Sequence, residues 1–172
     1  MIYDVYIIIE VTSMAYKNNM SDIEVVGRNL EFERLRLNMT IKEFSHQISY
    51  DRGSYSKLVR QKNQDLELKS LVRIARKLDV DLSLLLSRSY IDDYKERKRE
   101  ESKYVERNYL LVLTNNLKLN LEINGMCQDI GTNRETVNRL INYHVMNPRI
   151  STLSAIAYDL KVSLASLFRE EK

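Results

Sequence analysis

Proline and glycine are almost missing from this chain of 172 residues, which has one Pro and four Gly. A β-sandwich or barrel needs many tight turns built on those residues, so an all-β fold is excluded and helices joined by short non-glycine connections are expected. Cysteine occurs once, as Cys127, and a lone thiol rules out an intramolecular disulfide. With only His46 and His144 beside it, a structural zinc site lacks ligands, and a reducing cytoplasm is the expected setting. The longest apolar run centres on Val5 to Ile9, far short of the roughly 20 residues a membrane helix needs. It lacks a basic flank and a small-residue cleavage site, so neither membrane insertion nor export is expected. Charge of one sign is also scarce: 27 basic against 24 acidic residues leave a net +3, which permits a polyanionic partner without demanding one.

What is present is a repeat. Sliding the chain against itself gives an ungapped match at an offset of 82, carrying Leu30–Leu86 onto Val112–Phe168. Fourteen of 57 positions are identical, among them Leu35/Leu117, Leu37/Leu119, Asn38/Asn120, Ile41/Ile123, Ile48/Ile130, Arg52/Arg134, Leu58/Leu140 and Ile74/Ile156. Ordinary residue usage would give about one identity in sixteen. Most matches are apolar at helical spacing, as two copies of one small core require.

Each copy breaks into five short helices. Ser21-Asp22-Ile23-Glu24 is a capping box that opens a first helix ending near Asn38. Thr40 caps a second, with Ile41, Phe44 and Ile48 on one face. Asp51 caps a third, Arg52 to Arg60, with Tyr55, Leu58 and Val59 inward. After a polar loop, Gln61 to Glu67, a fourth helix buries Leu68, Leu71, Ile74, Ala75 and Leu78, and a short fifth covers Asp81 to Ser87. In the second copy Gly131-Thr132-Asn133 separates helices two and three, Asn147-Pro148 precedes helix four, and Ser151 is its expected cap. Tyr50, Tyr55 and Tyr158 fall on apolar positions and are expected in the core, as is Cys127 on the second helix.

The expected organisation is therefore an N-terminal extension over 1–20, a first domain over 21–88, a charged helical linker over 89–107 and a second domain over 108–172. The linker carries six bases and six acids without Gly or Pro, and pairs such as Glu96/Arg99 and Glu100/Lys103 favour a solvated helix. Ile2, Val5, Ile7 and Ile9 suit a lone strand or a dimerisation arm, and Met14 and Met20 offer alternative starts to Met1.

The tract Thr40 to Leu58, followed by Leu71-Val72-Arg73-Ile74-Ala75-Arg76-Lys77-Leu78-Asp79-Val80, resembles the Xre/Cro-type helix-turn-helix of phage repressors. Gly131 to Arg139 with Leu153 and Ile156 to Val162 repeats the resemblance, and the two stretches span about three quarters of the chain. Departures accompany it. Ile41 and Ile123 stand where the family usually places a DNA-touching Gln, Ser49 replaces the turn Gly, and Val59 and Ile141 replace a Glu near the end of helix three.

The resemblance implies an all-α protein of two tandem five-helix units and a sequence-specific transcriptional regulator, most often a repressor, of a bacterium, phage or mobile element. Its partner would be double-stranded DNA. A third helix propped on the second can enter a major groove about 12 Å wide, so its exposed residues must be polar. In the first copy Arg52, Ser54, Ser56 and Lys57 qualify, with Gln61, Lys62 and Asn63 placed toward phosphates; in the second, Asn133, Arg134, Glu135, Thr136, Asn138, Arg139 and Asn142. A homodimer through the N-terminal segment or the linker helix is a second expected partner. The alternative is a protein-binding inhibitor or assembly adaptor, such as a phage-derived anti-defence protein, on the same fold. An enzyme is not expected, nor a cofactor: the histidines lack nucleophile and carboxylate partners at usable spacing, and no Gly-rich phosphate loop exists.

Overall fold

The computed structural model describes residues 20–60, 65–94, 103–123 and 134–170, and these are mostly helical. Helix α1, Asp22–Arg36, starts at Ser21 with the expected capping box, Ser21 N–H donating to Glu24 Oε2 at 2.7 Å. A second box at Thr40 opens α2, Ile41–Gln47, and the Asp51 carboxylate caps α3, Arg52–Val59, accepting from Ser54 N–H at 2.7 Å. Helices α4, Leu68–Leu78, and α5, Leu82–Leu85, complete the five, and a further turn, α6, spans Tyr90–Asp93. The later part of the chain contains α7, Tyr109–Ile123, α8, Arg134–Ile141, α9, Ile150–Asp159, and a 3-10 helix, Leu164–Phe168.

The scarcity of glycine has a structural counterpart at the helix ends. Asn38, Ser49, Asp79, Tyr143 and Lys161 all adopt left-handed φ values between 52° and 58°. Each is followed by an N–H bonded back five residues, such as Tyr50 N–H to Ser45 O at 2.9 Å, which is how a helix ends in a Schellman turn. That role usually falls to Gly, because a side chain there costs about 1 kcal/mol or more. One glycine is placed by packing: a Cβ on Gly27 would lie 3.0 Å from the Leu58 carbonyl oxygen, where α1 passes close over α3.

The offset of 82 holds from α3 onward, since α3 and α8 both have eight residues and start on Arg52 and Arg134. It fails for the first helix. The 15 residues of α1 correspond to the 15 of α7 at an offset of 87, which pairs Asn29 with Asn116 and Leu30 with Leu117. Two equivalent side-chain contacts establish the register. Asn29 Nδ2 donates to the carbonyls of Leu85 and Ser87 at 2.9 Å, and Asn116 Nδ2 donates to those of Leu167 and Arg169 at 3.0 and 2.7 Å. The pairs Leu35/Leu117, Leu37/Leu119, Asn38/Asn120 and Ile41/Ile123 are therefore not structural equivalents, and Ile123 ends a first helix instead of starting a second. Fifteen residues separate α1 from α3 but only ten separate α7 from α8. The positions expected to form a second helix there, with Gly131, Thr132, Asn133 and Cys127, lie outside the described residues, as do 1–19.

The two halves meet about a pseudo-twofold axis. Helix α5 packs on the 3-10 helix, its own counterpart at 82, and Glu67 forms an antiparallel bridge with Arg149, likewise its own counterpart. An element touching its own equivalent is the signature of an isologous contact. Leu68 N–H donates to Pro148 O at 2.9 Å and Ile150 N–H to Leu66 O at 2.8 Å, a reciprocal pair. Apolar side chains from both halves, Phe44, Leu71 and Leu85 with Leu117, Ile156 and Phe168, belong to one continuous core.

Three expectations fail. Ser151 does not cap α9; Arg149 holds the cap position without a side-chain bond, and Ser151 Oγ instead donates to Asp65 at 2.5 Å. Tyr158 is 83% exposed, because it projects from the face of α9 opposite Leu153, Ile156 and Ala157; Tyr55 is fully buried as expected and Tyr50 partly so. The linker is no continuous helix. Past α6 its described part, 103–107, is non-helical and folds back on the body, where Glu106 pairs with Arg76, Arg107 lies 3.7 Å from Asp81, and Tyr104 packs on the Tyr109 ring. Glu106 and Arg107 thus pair with the body of the fold, while 95–102, with Glu96, Arg99 and Glu100 of the expected helical pairs, lie outside the described residues.

Candidate nucleic-acid interface

Helix α3 rests on α1 through its apolar side. Tyr55 is buried against Phe44, ring centroids 5.4 Å apart, and its hydroxyl donates to Glu31 Oε2 at 2.8 Å. Glu31 also pairs with Arg34 at 2.5 Å, and this bond holds the guanidinium above its usual range. Burial foremost, with the Glu31 charge beside it, raises the Tyr55 phenol, so it stays a neutral donor. A buried phenol bonded to a paired carboxylate fixes the rotation of α3 about its axis.

That rotation presents Arg52, Gly53, Lys57 and Arg60 to solvent, with Ser54 and Ser56 partly exposed. Arg60, one turn beyond Lys57, extends the cationic face and was legible from its i+3 spacing, although it sits at the end of the predicted helix. On α2, Lys42 and His46 are exposed one turn apart. Asp51 stands at the entry. Its carboxylate is held below the ordinary range by the Ser54 backbone N–H, and it occupies the positive end of the helix, so an incoming phosphate finds that end already taken.

Helix α8 repeats the arrangement. Val137 and Leu140 are buried, while Arg134, Glu135, Asn138, Arg139 and Asn142 are exposed and Thr136 is partly so. Arg52/Arg134, Ser54/Thr136, Ser56/Asn138, Lys57/Arg139 and Arg60/Asn142 occupy equivalent positions. The Asn142 amide donates to Asn138 O at 2.8 Å, which ties the side chain to its own helix. Gln61, Lys62, Asn63 and Asn133 lie outside the described residues.

The two halves are joined at the starts of α4 and α9 by contacts invisible to residue patterning. Asp65 Oδ1 accepts from Ser151 N–H at 3.2 Å and Asn147 Oδ1 from Lys69 N–H at 2.9 Å, while Asn147 Nδ2 donates to Glu67 at 2.7 Å. Neither α4 nor α9 has a side-chain cap from its own half. Among the described residues no three His, Cys, Asp or Glu side chains gather as metal ligands, and no helix is long and apolar enough to cross a membrane. No protein-family model, curated protein or solved structure matches this chain.

Proposed function

We propose that this protein is a cytoplasmic transcriptional regulator of the Xre/Cro helix-turn-helix kind, binding double-stranded DNA with α3 and α8. The observation that carries the reading is the pair of equivalent short helices, each buried on one side and polar on the other, held by a pseudo-twofold contact within one chain. Half-sites of duplex DNA are themselves related by a twofold axis, and repressors of this kind ordinarily meet them as dimers. Here Arg52 and Lys57 of one half and Arg134, Asn138 and Arg139 of the other would do so together. Arg and Asn suit guanine and adenine edges, whereas Lys57, Arg60 and the serines suit phosphates. The direct test is selection from a random duplex pool followed by gel shift with the full chain: retention of a defined sequence against competitor DNA is the expected result, and no retention above competitor overturns the reading. The reading of a protein-binding adaptor draws on the exposed side chains of Leu111, Tyr143 and Met146, with Tyr143 bonded to Thr114 of α7 at 3.1 Å.

A further inference from the structure

The pseudo-twofold relation is broken beside α4. Where α9 reaches the first half it packs against α1, but the corresponding space between α4 and the start of α7 is an open cleft of about 460 Å³. Leu68, Val72, Tyr109 and Leu110 give it an apolar floor, and Met146, 54% exposed, stands at its rim. Lys69, Arg73, Arg76 and Arg107 line it with positive charge.

Three of these cations lie on α4 at i, i+4 and i+7, so they share one face over about 10 Å of helix. Like charges at that spacing repel, and the fold does not require them: the equivalent positions of α9 are Ser151, Ala155 and Tyr158. Charge was therefore placed on the half that has the cleft and left off the half that lacks it. Arg76 and Arg107 are already matched, by Glu106 and by Asp81 and Glu170. Among the described residues Lys69 and Arg73 have no acidic partner. The Arg107 Nε is buried with no hydrogen-bond partner among the described residues.

We propose that this cleft binds a small phosphate monoester with an apolar body. Two unmatched cations balance the charge of about −2 that such a head carries at neutral pH, whereas a carboxylate would balance one. Arginine offers the forked donors a phosphate accepts, the floor of Leu68, Val72 and Leu110 takes the apolar part, and the volume falls within the roughly 300–1,000 Å³ of small-molecule sites. The proposal goes beyond the DNA reading and does not depend on it.

Octyl phosphate titrated onto the isotope-labelled full chain, without DNA, tests it. The expected result is saturable shifts of the amides of Leu68 to Arg76 and Asn108 to Leu110, with inorganic phosphate, octanol and octanoate each at least tenfold weaker. Lys69→Ser combined with Arg73→Ala installs the residues the other half already uses, so the variant should fold with an unchanged or higher melting temperature and bind at least tenfold more weakly. Val72→Phe, which fills the floor with the cations intact, should weaken binding to a similar degree. Absence of shifts at these amides, equal binding by octanol, or full affinity in both variants would overturn the site. Displacement of octyl phosphate by random duplex DNA would overturn it too, by assigning the cations to the DNA backbone; a chain that binds octyl phosphate but no DNA leaves the cleft standing and sinks only the regulator reading.

Discussion

Asp65 and Asn147 exchange helix caps across the molecule. Each stands at the equivalent position of its own half, and each side chain accepts a backbone N–H from the fourth helix of the other, Asp65 from Ser151 and Asn147 from Lys69. A helix start left without its cap loses about 0.5–2 kcal/mol, so Asp65→Ala is expected to destabilise the protein by that amount in urea denaturation. The effect should appear in the opposite half: hydrogen exchange at the Ser151 amide should accelerate in Asp65→Ala, and at the Lys69 amide in Asn147→Ala. Acceleration confined to the mutated half would contradict the exchange.

Shared packing should make the halves melt together. Leu71 of α4 and Ile156 of α9 lie on equivalent helices, are fully buried, and are part of one core that contains residues of both halves. Leu71→Ala or Ile156→Ala should cost about 2–5 kcal/mol through the cavity left behind. Calorimetry should record one transition shifted down in either variant; two transitions, with only one shifted, would mean the halves are energetically separate.

Ser49 closes the turn between α2 and α3 at φ 52°, exposed to solvent. Glycine adopts that conformation without a Cβ penalty, so Ser49→Gly is expected to stabilise by about 0.5–1 kcal/mol, read as a higher urea midpoint at unchanged slope. A lower midpoint would show that the serine hydroxyl matters more than the backbone strain.

Acid should loosen α2 and α3 through their caps. The Glu43 carboxylate is held below its usual range by the Thr40 backbone N–H, and Asp51 by that of Ser54. A depressed folded value means stability that is fully present above the ordinary values, about 4.3 for Glu and 3.9 for Asp, and lost as pH falls below them. Amide protection in Ile41–Val59, exchange measured relative to the intrinsic rate at each pH, should therefore fall on acidification from about pH 5 to 3, and Asp51→Asn, which caps without titrating, should flatten the part belonging to α3. An unchanged profile in that variant would exclude Asp51 as the source.

On the DNA reading, the unlike faces Arg52, Ser56 and Lys57 against Arg134, Asn138 and Arg139 should select unlike half-sites at one fixed spacing, because the interface between the halves leaves no free joint. Affinity should fall as salt rises, since counterions are released from the DNA. Arg134→Ala should cost about 1–3 kcal/mol and relax preference in one half-site alone. A perfectly palindromic selected site, or equal loss in both halves, would mean that each chain reads a single half-site and that two chains assemble on the operator.

Helix content, the caps at Ser21, Thr40 and Asp51, and the buried face of α4 were legible in the sequence, because each depends on residues within one or two turns of each other. So was the equivalence of α3 with α8, carried by Arg52/Arg134 and Leu58/Leu140. The equivalence of α1 with α7 was not: Leu-rich helices match at several offsets, and only the paired contacts of Asn29 and Asn116 with distant carbonyls distinguish 87 from 82. Tertiary structure alone decided that the caps of α4 and α9 come from the opposite half, that Glu106 and Arg107 pair with the body, and that one side of the pseudo-twofold closes while the other opens into a basic cleft. These outcomes rest on residues more than 25 positions apart in the chain, and local patterns carry no record of which distant surfaces will meet.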